Sequence, residues 1–238
     1  MKVGLFIPCY IDQFYPEVGK ASYSLLVKAG FEVFYSAEQT CCGQPLSNAG
    51  YGRATEGAEE HWLNIFKDCE VVVGPTGSCV YHINHHFSQK PAIPVYEISA
   101  FFLNYANLPI KPDSFKGNIA ILKSCHNLRG LKDGNSSELM GKEKSAAEQI
   151  IDQITSLHQV FPERSDECCG FGGLFSVKEE AVSVAMGRQR IKEFIDCKAE
   201  IITGTDMSCL MHIDGIMKRE KVAIEVIHIA EIINGSIQ

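Results

Sequence analysis

A chain of 238 residues with 45% hydrophobic and 21% charged residues can bury one ordinary core or two small ones, which excludes a disordered or fibrous protein. Its 22 basic and 29 acidic residues leave a formal charge of −7, with no run of Lys or Arg. A phosphate backbone therefore has no electrostatic reason to bind, and nucleic acid is excluded as a partner.

The first predicted element is a short strand over the apolar run Val3 to Pro8. It is too short for a secretory apolar region and leads into a polar segment, so the expected compartment is the cytoplasm. Helical spacing follows from Phe14 to Ala29, a strand from Phe31 to Tyr35, and a helix from Thr55 to Lys67. Val71-Val72-Val73 reads as a buried strand stopped by Gly74-Pro75, and Ile119 to Leu122 and Glu200 to Thr203 read as strands further on. Val222 to Ile233, the longest apolar segment, is broken by Glu225, His228 and Glu231, so no transmembrane helix is expected. Alternating strands and helices predict an α/β protein with mainly parallel sheets.

The chain is written twice. Thr40-Cys41-Cys42-Gly43 recurs as Glu167-Cys168-Cys169-Gly170, and the strand ending in Cys9 is matched by the one ending in Cys125. Gly77-Ser78-Cys79-Val80-Tyr81-His82-Ile83 answers to Met207-Ser208-Cys209-Leu210-Met211-His212-Ile213, and Val95-Tyr96-Glu97-Ile98 to Val226-Ile227-His228-Ile229. Order is kept throughout, which points to duplication. Two similar Rossmann-like α/β halves are expected, over residues 1–112 and 113–238.

Ten cysteines in a reducing compartment point to metal binding or redox chemistry rather than to disulfides. Each half offers four: Cys9, Cys41, Cys42 and Cys79, then Cys125, Cys168, Cys169 and Cys209. Cys9, Cys41, Cys42, Cys79, Cys125 and Cys209 each come soon after a predicted strand, and in open α/β sheets the loops at strand carboxyl ends converge on one crevice. Four thiolates suit either a [4Fe-4S] cluster or tetrahedral zinc. The adjacent pair favours iron. Neighbouring Cα atoms about 3.8 Å apart make a disulfide strained, and diverging side chains reach different irons more readily than one small ion. Gly43 and Gly170 are expected to let the backbone turn and approach the metal closely. Cys69 and Cys197, each at the end of a predicted helix, read as packing residues.

These motifs resemble the CCG-domain, or cysteine-rich-domain, iron–sulfur family, whose pattern is Cys, then Cys-Cys-Gly, then Cys-x-x-Cys. The resemblance spans both halves, is most specific over Cys168 to Gly173 and Phe175 to Lys178, and is nearest to the subfamily of bacterial lactate-utilisation subunits. Relatives include the cluster-binding subunit of heterodisulfide reductase, in which paired motifs hold non-cubane [4Fe-4S] clusters. What the resemblance implies is an electron-transfer subunit with one or two clusters, working with iron–sulfur or dehydrogenase subunits of the same complex and meeting a membrane only through them. The family's last cysteine is replaced by His82 and His212, which makes both imidazoles candidate ligands beside the bland reading of a structural or solvated histidine. His82, His85 and His86 also have the spacing of one surface helix face.

No dinucleotide-binding glycine motif after a strand, no phosphate loop and no nucleophilic-serine motif occurs, so hydride chemistry is expected in a partner. Two other readings stay open: a binding module stabilised by zinc, in one half or both, and a thiol–disulfide oxidoreductase resembling heterodisulfide reductase.

Overall fold

A computed structural model gives the fold and describes residues 1–106, 110, 115–139, 141 and 143–236. The boundary expected between residues 112 and 113 lies outside the described residues. The first sheet holds β1 (Lys2–Leu5), β2 (Glu32–Phe34), β3 (Val71–Gly74) and β4 (Val95–Glu97) in the order β2-β1-β3-β4. The second holds β5 (Gly117–Leu122), β6 (Leu157–Gln159), β7 (Ile201–Gly204) and β8 (Glu225–Val226) in the matching order β6-β5-β7-β8. Every pairing is parallel, with Val3 facing Val71 in one sheet and Ile119 facing Ile201 in the other. This is the doubled α/β architecture that the alternating pattern predicts. The central strands β3 and β7 are buried along their whole length, which is why they read as unbroken apolar runs.

The helices are α1 (Cys9–Phe14), α2 (Pro16–Lys28), α3 (Gln44–Asn48), α4 (Glu56–Phe66), α5 (Gly77–His86) and α6 (Ile98–Tyr105), then α7 (Ala146–Ile151), α8 (Leu174–Lys178), α9 (Glu180–Asp196), α10 (Met207–Glu220) and α11 (Ile229–Ser236). The helix expected from Phe14 begins instead at Pro16. Proline is favoured in the first turn of a helix, where its missing N–H leaves no intrahelical bond unmade, and Tyr15 separates it from the short α1.

Sequence halves are not packing halves. The last helix of the first half, α6, packs on α7 of the second, and α11 of the second packs on α2 of the first. One apolar cluster consequently runs through both, from Val3, Leu25 and Phe101 to Ile119, Phe194 and Ile233. The sheets meet at their carboxyl ends, where Thr76 and Asp206 form an isolated antiparallel bridge and the Gly77 amide donates to the Thr205 carbonyl at 3.0 Å. The exposed apolar area of each half is thus covered by the other, and the strand ends that carry the cysteines are brought face to face.

Candidate metal centre

The predicted ligands sit in loops that follow strands or at the start of the helices after them. Cys9 opens α1 directly after β1, and Cys79 lies in the first turn of α5 after β3. The loop to Cys41-Cys42 is braced by Gln39, whose side-chain oxygen accepts from the Ile7 amide at 2.7 Å while its amide donates to the Ser36 carbonyl at 2.8 Å. Cys41 Sγ thereby comes to 3.7 Å from Cys9 Sγ. In the second half Cys125 opens onto a π-helical turn, His126–Gly130, of the kind that recurs at functional sites.

Gly43 and Gly170 do what their place in the motif requires. Their φ values are +87° and +89°, and a Cβ would come within 2.8 Å of Thr55 at Gly43 and within 2.7 Å of Met186 and the Ser183 carbonyl at Gly170. The left-handed turn aims each glycine amide back at a sulfur: Gly43 N lies 3.4 Å from Cys41 Sγ, and Gly170 N 3.4 Å from Cys168 Sγ. Phe171 N approaches Cys169 Sγ at 3.5 Å. Backbone N–H groups pointing at sulfur favour the thiolate, the form that binds metals.

The sulfurs of each half lie close enough to influence one another, Cys9 feeling Cys79 as well as Cys41 and Cys125 feeling Cys209 as well as Cys168. Cys9 meets Cys41, Cys41 meets Cys42, and Cys42 meets Cys79; Cys125, Cys168, Cys169 and Cys209 repeat the series. The Cys42 and Cys9 thiols, with the Gly43 amide, hold Cys41 well below the ordinary thiol range. Cys125 and Cys169 do the same to Cys168. In return Cys41 pushes Cys9 and Cys42 up, and Cys168 pushes Cys125 and Cys169 up. Among the described residues no three His, Cys, Asp or Glu side chains gather tightly enough to chelate a single ion. Four cysteine sulfurs in each half are a donor set of the kind that holds a metal centre.

All eight of these cysteines line one cleft of about 180 Å³ between the halves. Cys69 and Cys197 do not line it. Cys69 is buried against Gly4 and Phe66 in a separate apolar cluster, and the Cys197 thiol donates to the Phe194 carbonyl at 3.4 Å. His82 and His212 are also absent from the cleft lining. Burial pushes the pKa of both imidazoles down. The surface face expected for His82, His85 and His86 holds only for the last two: His82 is 1% exposed because α5 turns that side toward Glu59 and Cys41.

Among the cleft residues that sequence reasoning did not assign to the site are Tyr10, Gln44, His126 and Phe171. Each directly follows a predicted ligand or a Cys-Cys-Gly motif, and that adjacency is the signal that could have found them. They pair across the halves. The Tyr10 and Phe171 rings meet edge-on with centroids 5.8 Å apart, and Gln44 Nε2 lies 3.3 Å from His126 Nε2.

The geometry agrees with what the chain is similar to. Residues 3–84 and 119–214 match the model of the CCG cysteine-rich domain, one match in each half. The chain is 36% identical to lactate utilization protein A of Oceanobacillus iheyensis over 98% of its own length and 97% of the relative. It is 34% identical to the protein of that name from Halalkalibacterium halodurans, with 98% and 97% covered, and 35% identical to that of Geobacillus thermodenitrificans, with 98% and 99% covered. With both copies of the domain matched and each occupied by its own row of cysteines, the chain belongs to the CCG cysteine-rich domain family.

Proposed function

We propose that this protein is an electron-transfer subunit of a lactate-oxidising complex, with Cys9, Cys41, Cys42 and Cys79 holding one [4Fe-4S]-type cluster and Cys125, Cys168, Cys169 and Cys209 a second. The observation that carries the reading is the convergence of two rows of four sulfurs on one cleft, with backbone amides directed at the Cys-Cys-Gly sulfurs. The lactate assignment rests on the relatives' name, and the working place is the cytoplasm.

When bound, the clusters supply reversible one-electron transfer. The chain's own residues hold and tune them. Gly43, Gly170 and Phe171 amides stabilise negative charge on sulfur, the buried Cys42 and Cys169 keep water from the inner side, and the opening of the cleft gives a donor access. In this reading a partner subunit, itself an iron–sulfur protein or a dehydrogenase, carries out lactate oxidation, in keeping with a sequence that offers no recognisable flavin or nicotinamide motif.

Anaerobic purification, or reconstitution with iron and sulfide, tests this. Brown protein with iron and acid-labile sulfide, reducible by a low-potential dye, is expected. Colourless protein that retains zinc alone after reconstitution overturns the reading in favour of a zinc-stabilised module.

A further inference from the structure

The segment that leads into the second Cys-Cys pair, residues 164–166, is held from two sides by arginine. Arg190 reaches it from α9. Its side chain is buried, pairs with Glu193 and lies with its guanidinium carbon 5.0 Å from the centre of the Phe194 ring. Nη1 donates to the Arg164 carbonyl at 2.6 Å, and Nη2 to the Ser165 carbonyl at 3.5 Å. Two turns earlier on the same face of α9, the buried Ser183 hydroxyl donates to the Gly170 carbonyl at 2.7 Å. One helix face thus holds the chain both before Cys168 and after Cys169.

Arg129 reaches the same segment from the π-helical turn that follows Cys125. Its Nη1 donates to the Asp166 carbonyl and its Nη2 to the Asp166 carboxylate, both at 3.0 Å, and that carboxylate also accepts from the Ser137 amide at 2.7 Å. The turn after Cys125 and the loop before Cys168 are therefore tied together by side chains that do not line the cleft.

The first half follows the same plan without arginine. Gln39 stands two residues before Cys41, as Asp166 does before Cys168, and it accepts from the Ile7 amide near Cys9 at 2.7 Å. From the helix that follows, α4, His61 Nε2 lies 2.7 Å from the Glu38 carbonyl. Desolvating a guanidinium is costly, and an apolar side chain of similar size would fill the place of Arg190 without that cost. What arginine alone supplies is a rigid fork of donors that can hold neighbouring acceptors at once.

We infer that Arg190 and Arg129 are positioning residues of the second metal site: they fix the carbonyls that precede Cys168, and so set where Cys168 and Cys169 stand relative to Cys125. The first site depends on neither. This rests on the iron–sulfur reading above.

The test uses the full chain loaded anaerobically with iron and sulfide. Each site is followed by its electron paramagnetic resonance signal, assigned by its loss in Cys42→Ser or Cys169→Ser, and by the rate at which a chelator removes its iron. Arg129→Gln changes a side chain that is 40% exposed. Arg190 is changed in two ways: Arg190→Lys keeps the charge beside Glu193 without the fork, and Arg190→Gln with Glu193→Gln leaves no partner charge buried alone. Each variant should shift the second-site signal and speed iron loss from that site about tenfold, with the first site as in wild type. Unchanged second-site signals and rates, a response to only one of the two arginines, or equal acceleration at both sites overturns the inference while leaving the clusters in place. A wild type that takes up no iron and sulfide instead overturns the cluster reading, and the inference falls with it.

Discussion

The Asp206 carboxylate accepts a hydrogen bond from the Ser78 amide, 2.7 Å away in the other half of the chain. It also accepts from its own helix, from the Ser208 amide at 3.2 Å and hydroxyl at 2.6 Å. One side chain, 1% exposed, thus caps α10 and α5 together, the two helices that carry Cys209 and Cys79. Satisfying first-turn amides of both helices joins the halves at the point where their ligands face one another.

Asp206→Ala removes an acceptor from three donors and should destabilise the protein by about 2–4 kcal/mol in urea titrations. The wild type should unfold in a single transition, since α6 and α11 each pack on the opposite half. Two resolved transitions, seen with probes in each half, would show that the halves are independent.

Gly43→Ala and Gly170→Ala place a Cβ in the left-handed region and against neighbours. Each should lose about 1–3 kcal/mol and part of its iron. Gly170→Ala should be the worse, because the Ser183 carbonyl belongs to the backbone of α9, whereas the Thr55 side chain that faces Gly43 can yield. Equal melting temperatures for wild type and Gly170→Ala would contradict the proposed turn constraint.

Two matching positions, Glu97 and His228, should shape the stability of the apo protein against pH in opposite directions. Burial, with the charge of Asp133 adding to it, raises Glu97 from 4.5 to about 8 even though it caps α6 through the Ser99 and Ala100 amides. Burial lowers His228 from 6.5 to about 4, and its Nδ1 accepts from the Ala230 amide at 3.1 Å. The unfolded chain ionises Glu97 where the fold does not, so this contribution is whole below pH 4.5 and is lost as pH rises toward 8. The unfolded chain protonates His228 where the fold does not, so that contribution is whole above pH 6.5 and is lost as pH falls toward 4. Denaturation at a series of pH values should show Glu97→Gln flattening the loss toward alkaline pH and His228→Gln the loss toward acid. An unchanged slope in either variant would contradict the assignment.

Serine replacement separates ligands from packing residues. Cys42→Ser should lower iron in the first site and spare the second, and Cys169→Ser should do the reverse. Cys69→Ser should cost about 1–2 kcal/mol by burying a hydroxyl in an apolar cluster, with iron unchanged. Full iron and sulfide in both the Cys42 and Cys169 variants would rule these cysteines out as required ligands.

The sequence by itself determined the doubled α/β pattern, the strands from Val3, Val71, Ile119 and Ile201, and the motifs that carry the proposed ligands. Strand periodicity is local, and a duplicated tripeptide is visible without coordinates. It also separated Cys69 from Cys79, because a cysteine at a helix end and one after a strand stop read differently. Only the tertiary structure decided that both cysteine rows open into one cleft, since this follows from α6 and α11 crossing to the opposite half and from Asp206 reaching Ser78. The pairing of Tyr10 with Phe171 and of Gln44 with His126 was illegible for the same reason. The difference between His82 and His212 lay deeper still. The two positions match in sequence, and the distinction arises from what faces them: Ser183 on α9 offers His212 a backbone carbonyl, whereas the buried His82 Nε2 has no hydrogen-bond partner. A motif can specify which side chain stands at a position, but the partners left over for it are settled by packing between segments distant in the chain.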